Sequence, residues 1–139
     1  MSDESERNKA LIRRLFDEVL NAGNFGLLDQ LIGASYVEHN PVANQAAGAA
    51  GVRDRILQLR AAFPDLRFSL QELIGEDAIV AARYRWQGTH KGLFLGITPT
   101  GRRLSVRGMD FYRLEDGRVV EHWDVVDEFG MLTQLGDLG

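Results

Sequence analysis

The chain has 139 residues, a length that favours a single domain over residues 1–139, built around one hydrophobic core. There are 20 acidic and 16 basic side chains, and no cluster of Lys and Arg is interleaved with aromatic residues, so nucleic acid is not an expected partner. The absence of cysteine excludes disulfides, thiolate metal ligands and thiol nucleophiles. No run approaches about 18 uncharged apolar residues, which predicts a cytoplasmic protein without a membrane partner.

The first half of the chain has the apolar spacing of helices. Large apolar residues recur at three- and four-residue intervals over residues 6–20, 25–33 and 51–63, which predicts three helices. Between the second and the third, "SYVEHNP" is predicted to be a short extended segment that Pro41 ends.

After Pro64 the apolar residues alternate with a period of two. Four stretches with this pattern are separated by turn signals and predict strands: "LRFSLQEL", "AIVAARYRWQG", "RLSVRGMDFYRL" and "RVVEHWDVVD". The final "FGMLTQLGDLG" returns to helical spacing and predicts a short closing helix. Helices followed by a strand meander indicate an α+β fold in which helices cover one face of a curved antiparallel sheet and enclose a pocket.

The register of the last hairpin decides which side chains share the pocket face, because a slip of one residue moves every side chain to the other face. A three-residue loop over residues 115–117 sets Asp110 opposite His122, whereas a two-residue turn at residues 116–117 sets it opposite Trp123. We expect the three-residue loop. One face then carries Asp110, His122 and Asp124, and the other carries Met109, Phe111 and Trp123.

Two segments of the chain resemble a known family. They are "YVEHNP" and "GTHKGLFLGITPTGRRLSVRGMDFYRLEDGRVVEHWDVVDEFGMLTQLG". With the helical N-terminus they closely resemble the SnoaL-like polyketide cyclases, often labelled ester cyclases, of the superfamily named after nuclear transport factor two. The resemblance covers nearly the whole chain. It implies a cone-shaped α+β barrel, no cofactor, and a homodimer formed through the sheet.

The resemblance also assigns catalytic positions. In the characterised cyclases an aspartate on the last long strand is the acid/base of an intramolecular aldol condensation that closes a ring of an aromatic polyketide, and Asp124 matches that position. A histidine on the preceding strand assists it in those enzymes, and Asp110 stands at the matching place in this chain. An apolar pocket disfavours the charged form of a carboxylate, and a second carboxylate adds to this effect. We therefore expect a raised pKa at Asp124.

Five further side chains are candidates for substrate binding: Tyr36, His39, Asn40, His90 and His122. His39 either donates to a substrate oxygen or ties the Pro41 turn to the sheet, and His90 either contacts the substrate or only shapes its loop. His122 shares the face of Asp124, although its side chain can also pack there without a catalytic role. The histidines and aspartates include the ligand types of a metal site, but their spacing matches no metal motif, so no metal is expected.

Two classes of function remain open from the sequence. The first is a cofactor-independent acid/base enzyme acting on an apolar, aromatic carbonyl compound, by aldol cyclisation as in the family or by isomerisation or epoxide hydrolysis on the same fold. The second is a non-catalytic module for small-molecule binding or dimerisation, in which Asp124 is a structural partner of Arg83 or Arg85. Arginine partners on both Asp110 and Asp124 favour binding, whereas an open apolar cavity around them favours catalysis.

Overall fold

The computed structural model describes residues 3–136, and it has the α+β architecture expected from the sequence. The helices are α1 (Asp3–Arg14), α2 (Leu28–Leu31), α3 (Gly48–Ala62) and α4 (Glu128–Leu135). The strands are β1 (Ile32–Glu38), β2 (Arg67–Glu76), β3 (Ile79–Thr89), β4 (Arg103–Glu115) and β5 (Arg118–Val126). The last residues of the predicted closing helix segment, 137–139, lie outside the described residues.

The predicted first helix is confirmed, although its second half is wound differently. α1 continues as a π-helical stretch over Leu15–Asn21. Acidic residues in the first turn of α1 and basic residues in its last turn complement the helix dipole. The buried Phe16 packs edge-on against Phe68 of β2, with ring centroids 5.9 Å apart, and against Tyr84 of β3. The helix is therefore fixed to the inner face of the sheet by aromatic packing.

The sheet is curved and open, with the strand order β1-β5-β4-β3-β2. The predicted antiparallel meander from β2 to β5 is confirmed. The fifth strand, β1, was predicted only as an isolated extended segment, but it pairs in parallel with β5 and places Glu38 beside His122. A parallel partner this distant in the chain leaves no turn signal in the sequence, so alternation alone could not locate it.

The predicted register of the β4–β5 hairpin is wrong. Glu115 pairs with Arg118 across a two-residue turn, in which Asp116 and Gly117 have φ values of 50° and 75°. Val120 is then inserted as a β-bulge, because the pair Leu114–Val119 is followed by Arg113–Glu121. As a result, Asp110 lies opposite Asp124, and Tyr112 lies opposite His122.

The predicted division of the two faces is nevertheless confirmed. The one-residue bulge offsets the one-residue change in the turn, so the even-numbered residues of β4 and, beyond the bulge, those of β5 from His122 onward still share one face. Asp110 and His122 are buried, whereas Met109 and Phe111 are exposed on the outer face. None of the helices within residues 3–136 is long and apolar enough to span a membrane.

Candidate active site

A cavity of about 660 Å³ lies between α3 and the inner face of the sheet. Its walls are mostly apolar: α3 contributes Val52, Ile56 and Leu59, and β3 contributes Trp86. The volume falls within the usual range of ligand pockets, roughly 300 to 1,000 Å³. Charged side chains from α3 and from β1, β4 and β5 also line it, so the pocket combines apolar walls with a polar centre.

His122 lies at the centre of these polar groups. Its Nδ1 atom is 2.7 Å from Oε1 of Glu38, and its Nε2 atom is 3.1 Å from Oδ1 of Asp110. Each carboxylate also accepts a hydrogen bond from a tyrosine: Tyr36 donates to Glu38 over 2.9 Å, and Tyr112 donates to Asp110 over 2.7 Å. A neutral imidazole has only one N–H, so donation to both carboxylates requires the charged imidazolium.

The electrostatics of the pocket favour this charged form. Burial by itself lowers the pKa of His122, but the hydrogen bonds and charges of Asp110 and Glu38 outweigh it and raise the pKa to about 9. His122 has the opposite effect on the pKa of Glu38. Burial tends to raise this pKa, but the hydrogen bond to His122 brings it below its usual value. His122 is therefore a fixed cation at neutral pH.

Asp124 is held by groups outside its own strand. Arg55 of α3 donates through Nη2 to Oδ2 of Asp124 over 2.8 Å, and its Nη1 atom lies 3.6 Å from Glu38. The backbone N–H of Asp124 donates to Oδ1 of Asn40 over 2.9 Å. Burial raises the pKa of Asp124, Arg55 and His122 oppose the rise, and Asp110 adds to it, with a net upward shift. The predicted rise in pKa is confirmed.

We call Glu38, Arg55, Asp110, His122 and Asp124 the inner polar cluster. Its three carboxylates and two cations leave one net negative charge. Arginine partners on both aspartates would favour a binding module, but only one of the two aspartates has such a partner. Asp124 pairs with Arg55, whereas Asp110 bonds His122 and Tyr112. The suggested partners of Asp124 are wrong: Arg83 bonds Gln71 and Glu72, and Arg85 bonds Ser105.

Within the described part of the chain, one group of side chains has the ligand types and proximity for a metal ion. The ligand atoms of Asp110, His122 and Asp124 lie within 4.8 Å of one another. However, both ring nitrogens of His122 already bond carboxylates, and Arg55 already neutralises Asp124. A metal ion would have to displace the proton of the His122 imidazolium, whose pKa is raised, and the guanidinium of Arg55. A site without a metal therefore stays our prediction.

The structure brings together most of the residues singled out from the sequence. Asp110, Asp124, His122 and Tyr36 line the cavity, and Asn40 supports the backbone of Asp124. Two histidines are placed elsewhere. The ring of His39 stacks on Trp123 at 4.5 Å, and the fully buried His90 bonds Thr100 through Nδ1 behind the cavity wall.

Sequence reasoning missed four residues of the site: Glu38, Arg55, Tyr84 and Tyr112. Arg55 had a usable signal, since it lies within the apolar stripe of α3 between Val52 and Ile56, where a charge is unexpected. Tyr112 also had a usable signal, because it lies two residues after Asp110 on the same strand and therefore points to the same face. Glu38 depended on the position of β1, which no local pattern gives.

Helices on a curved open sheet, with an inner polar cluster in an apolar cavity, define the class of the protein as a nuclear transport factor two-like pocket fold. The chain belongs to the family of SnoaL-like polyketide cyclases, which it matches over residues 10–135. The family supports an enzyme of the polyketide cyclase type.

Similar proteins come from several streptomycetes. Aklanonic acid methyl ester cyclase DnrD of Streptomyces peucetius is 30% identical over 134 residues, which cover 91% of this chain and 89% of that protein. The structure of TsrD from Streptomyces laurentii matches with a TM-score of 0.85 and 31% identity, covering 98% of both chains. Wild-type IdmH from Streptomyces antibioticus matches with a TM-score of 0.81 and 32% identity, covering 93% of this chain and 98% of that one.

The protonation of His122 predicts a specific dependence of stability on pH. Its pKa is about 9 in the folded protein against 6.5 for an ordinary histidine, so its stabilising contribution is complete below pH 6.5 and is lost as pH rises through 9. The loss is on the order of 3 kcal/mol. Urea unfolding at a series of pH values measures it. The variant His39→Gln, which removes an exposed histidine, should show the same loss, and constant stability from pH 6.5 to 9.5 would contradict the assignment.

Proposed function

We propose that the protein catalyses an intramolecular aldol cyclisation of an aromatic polyketide or related carbonyl compound, by acid/base chemistry and without a cofactor. One observation supports this proposal most: the carboxylate of Asp124 lies in an apolar cavity with a raised pKa, and Arg55 holds it in place. A higher pKa makes the carboxylate a stronger base, and the guanidinium keeps it ionised at neutral pH.

In the proposed reaction, Asp124 removes a proton from the carbon next to a substrate carbonyl. The electron pair of the broken C–H bond forms the enolate, whose carbon attacks a second carbonyl of the same molecule and closes the ring. The attacked carbonyl oxygen becomes an alkoxide and takes the proton back from Asp124. The proton is thus returned within one turnover, and the step needs no oxidant, reductant or metal.

The other charged residues of the cluster act through Asp124 in this proposal. His122 has carboxylates on both ring nitrogens, so it is a fixed positive charge rather than a second base. Asp110 holds one side of His122 and adds a negative charge near Asp124. These groups set the basicity of Asp124 before the substrate binds, which is the preorganisation that acid/base catalysis requires.

The rival proposal is a non-catalytic module that binds a small molecule, and the ion pair between Arg55 and Asp124 favours it. An arginine that neutralises the carboxylate is also what a structural aspartate would have. The two proposals differ in one respect: a binding module loses nothing when Asp124 can no longer exchange a proton.

The variant Asp124→Asn should lose most of its turnover while it keeps its fold, because the amide has the same shape but cannot act as a base. The expected fall in kcat is roughly a hundredfold to ten-thousandfold. Thermal shift across aromatic polyketides, starting with aklanonic acid methyl ester, selects a substrate, and product formation measures kcat. The matched control is Asp116→Asn at the tip of the β4–β5 turn. Turnover by Asp124→Asn at the wild-type rate would make Asp124 structural.

The variant Arg55→Met should shift the acid limb of the pH profile of kcat/KM to higher pH. Asp124 acts as a base only when ionised, so activity is lost as pH falls through its pKa, and Arg55 lowers that pKa. Removal of the guanidinium therefore raises the pKa and moves the limb upward. Arg55→Lys keeps the charge and should keep most of the wild-type profile. An identical limb in all three proteins argues against coupling between Arg55 and the base.

We also propose that the protein is a homodimer through the outer face of its sheet. Met109, Phe111 and Val125 are exposed side by side on β4 and β5, where Phe111 lies opposite Trp123. Such an apolar sheet face is unfavourable in water. Phe111→Lys should convert the dimer to a monomer in sedimentation at micromolar concentration, whereas Leu57→Lys, at an exposed position on α3, should leave it a dimer. A monomeric wild-type protein would refute the proposal.

A further inference from the structure

Tyr84 lies on the inner face of β3 and crosses over the neighbouring strand. It pairs with Gly108 of β4, which in turn pairs with Val126 of β5. Its ring packs against Phe16 and Phe68, with centroids 5.7 and 5.5 Å away, so the ring has a single well-packed position.

Gly108 allows this crossing. A methyl group added at residue 108 would overlap the ring and the hydroxyl oxygen of Tyr84. The residues that flank Gly108 on the same face are Val106 and Asp110, and Asp110 lies opposite Asp124. The absence of a side chain at residue 108 therefore lets the hydroxyl reach the strands that carry the two aspartates.

The hydroxyl of Tyr84 has no hydrogen-bond partner among residues 3–136. The two other tyrosines of the cavity differ in this respect, since Tyr36 donates to Glu38 and Tyr112 donates to Asp110. The Tyr84 side chain is buried and lines the cavity. The hydroxyl oxygen itself is not enclosed by protein, so it stays open to the cavity, where a ligand can accept its hydrogen bond.

We propose that the Tyr84 hydroxyl donates a hydrogen bond to the carbonyl oxygen of the substrate that becomes the enolate oxygen. This inference rests on the proposed function. When Asp124 takes the proton from carbon, the C–H electron pair forms the carbon–carbon double bond, and the carbonyl π pair moves onto oxygen. Tyr84 stabilises that oxygen without giving up its own proton.

The surroundings of Tyr84 support a donor rather than a base. Burial and the nearby charges of Asp110 and Asp124 raise the pKa of Tyr84 well above its usual value, with Arg55 acting in the opposite sense. The phenol therefore stays protonated at the pH at which the Asp124 carboxylate is ionised. A neutral O–H among carboxylates can bond a carbonyl oxygen, which the carboxylates themselves cannot do.

Binding of two flat probes tests this donor without any turnover. Menadione has carbonyl oxygens, and methylnaphthalene has a similar shape without them; the chain has no cysteine with which menadione could react. We expect Tyr84→Phe to weaken menadione binding by about fivefold to tenfold and to change methylnaphthalene binding less than about twofold. Equilibrium dialysis with the full chain measures both dissociation constants.

The matched control is Tyr112→Phe, which removes a hydroxyl that already bonds a protein carboxylate. It should leave the ratio of the two dissociation constants unchanged. Gly108→Ala, which fills the space of the Tyr84 hydroxyl, should change that ratio in the same direction as Tyr84→Phe. The proposal is overturned if Tyr84→Phe leaves menadione binding unchanged, if it weakens both probes equally, or if the wild-type protein does not bind menadione.

Turnover separates this proposal from the proposed function. With a substrate that the wild-type protein cyclises, Tyr84→Phe should lower kcat by roughly a hundredfold or more, the usual effect of removing one oxyanion donor, and should raise KM by no more than the roughly tenfold loss expected for menadione binding. If the wild-type protein cyclises nothing but the probes still distinguish Tyr84→Phe, cyclisation fails and the carbonyl donor stands. If turnover is normal in Tyr84→Phe, the donor fails and cyclisation stands.

Discussion

His122 connects three strands, because its ring nitrogens bond Glu38 of β1 and Asp110 of β4 while its backbone belongs to β5. Without the imidazolium, two buried carboxylates would lie close together with no positive charge between them, which is costly in a low-dielectric interior. The proton on His122 therefore stabilises the fold and sets the charge of the cavity at the same time. It also fixes the edge strand β1, whose pairing with β5 is interrupted between residues 32 and 37.

The position of Asp124 follows from this arrangement. The bulge at Val120 puts Asp124 opposite Asp110, and Arg55 reaches it from α3, so its carboxylate lies between a second anion and two cations. Small changes in any of these charges shift its basicity, which is how a pocket adjusts an acid/base group to neutral pH. The apolar walls contribute as well, since burial is the largest influence on the pKa of Asp124.

Local apolar spacing was enough to predict the first and third helices, the meander and the shared face of Asp110, His122 and Asp124, because each depends on local periodicity. The exact residue pairs between β4 and β5 could not be predicted. A three-residue loop, and a two-residue turn followed by a bulge, put the same side chains on the inner face, so the alternation pattern does not distinguish them. Glu38 joins the site only through a parallel pairing between distant segments. No local pattern distinguishes Tyr84 from the other aromatic residues, and only the strand pairing shows that Gly108 makes room for its hydroxyl.

The protonation state of His122 at neutral pH decides whether a fixed positive charge lies between Glu38 and Asp110. Nitrogen-15 NMR of the wild-type protein, with the histidine rings labelled, distinguishes an N–H from a bare ring nitrogen. The three histidines of the chain can be assigned through the variants His39→Gln and His90→Gln. We expect both ring nitrogens of His122 to carry a proton at pH 7. A neutral ring with one bare nitrogen would contradict this expectation and would leave the two carboxylates to share a proton instead.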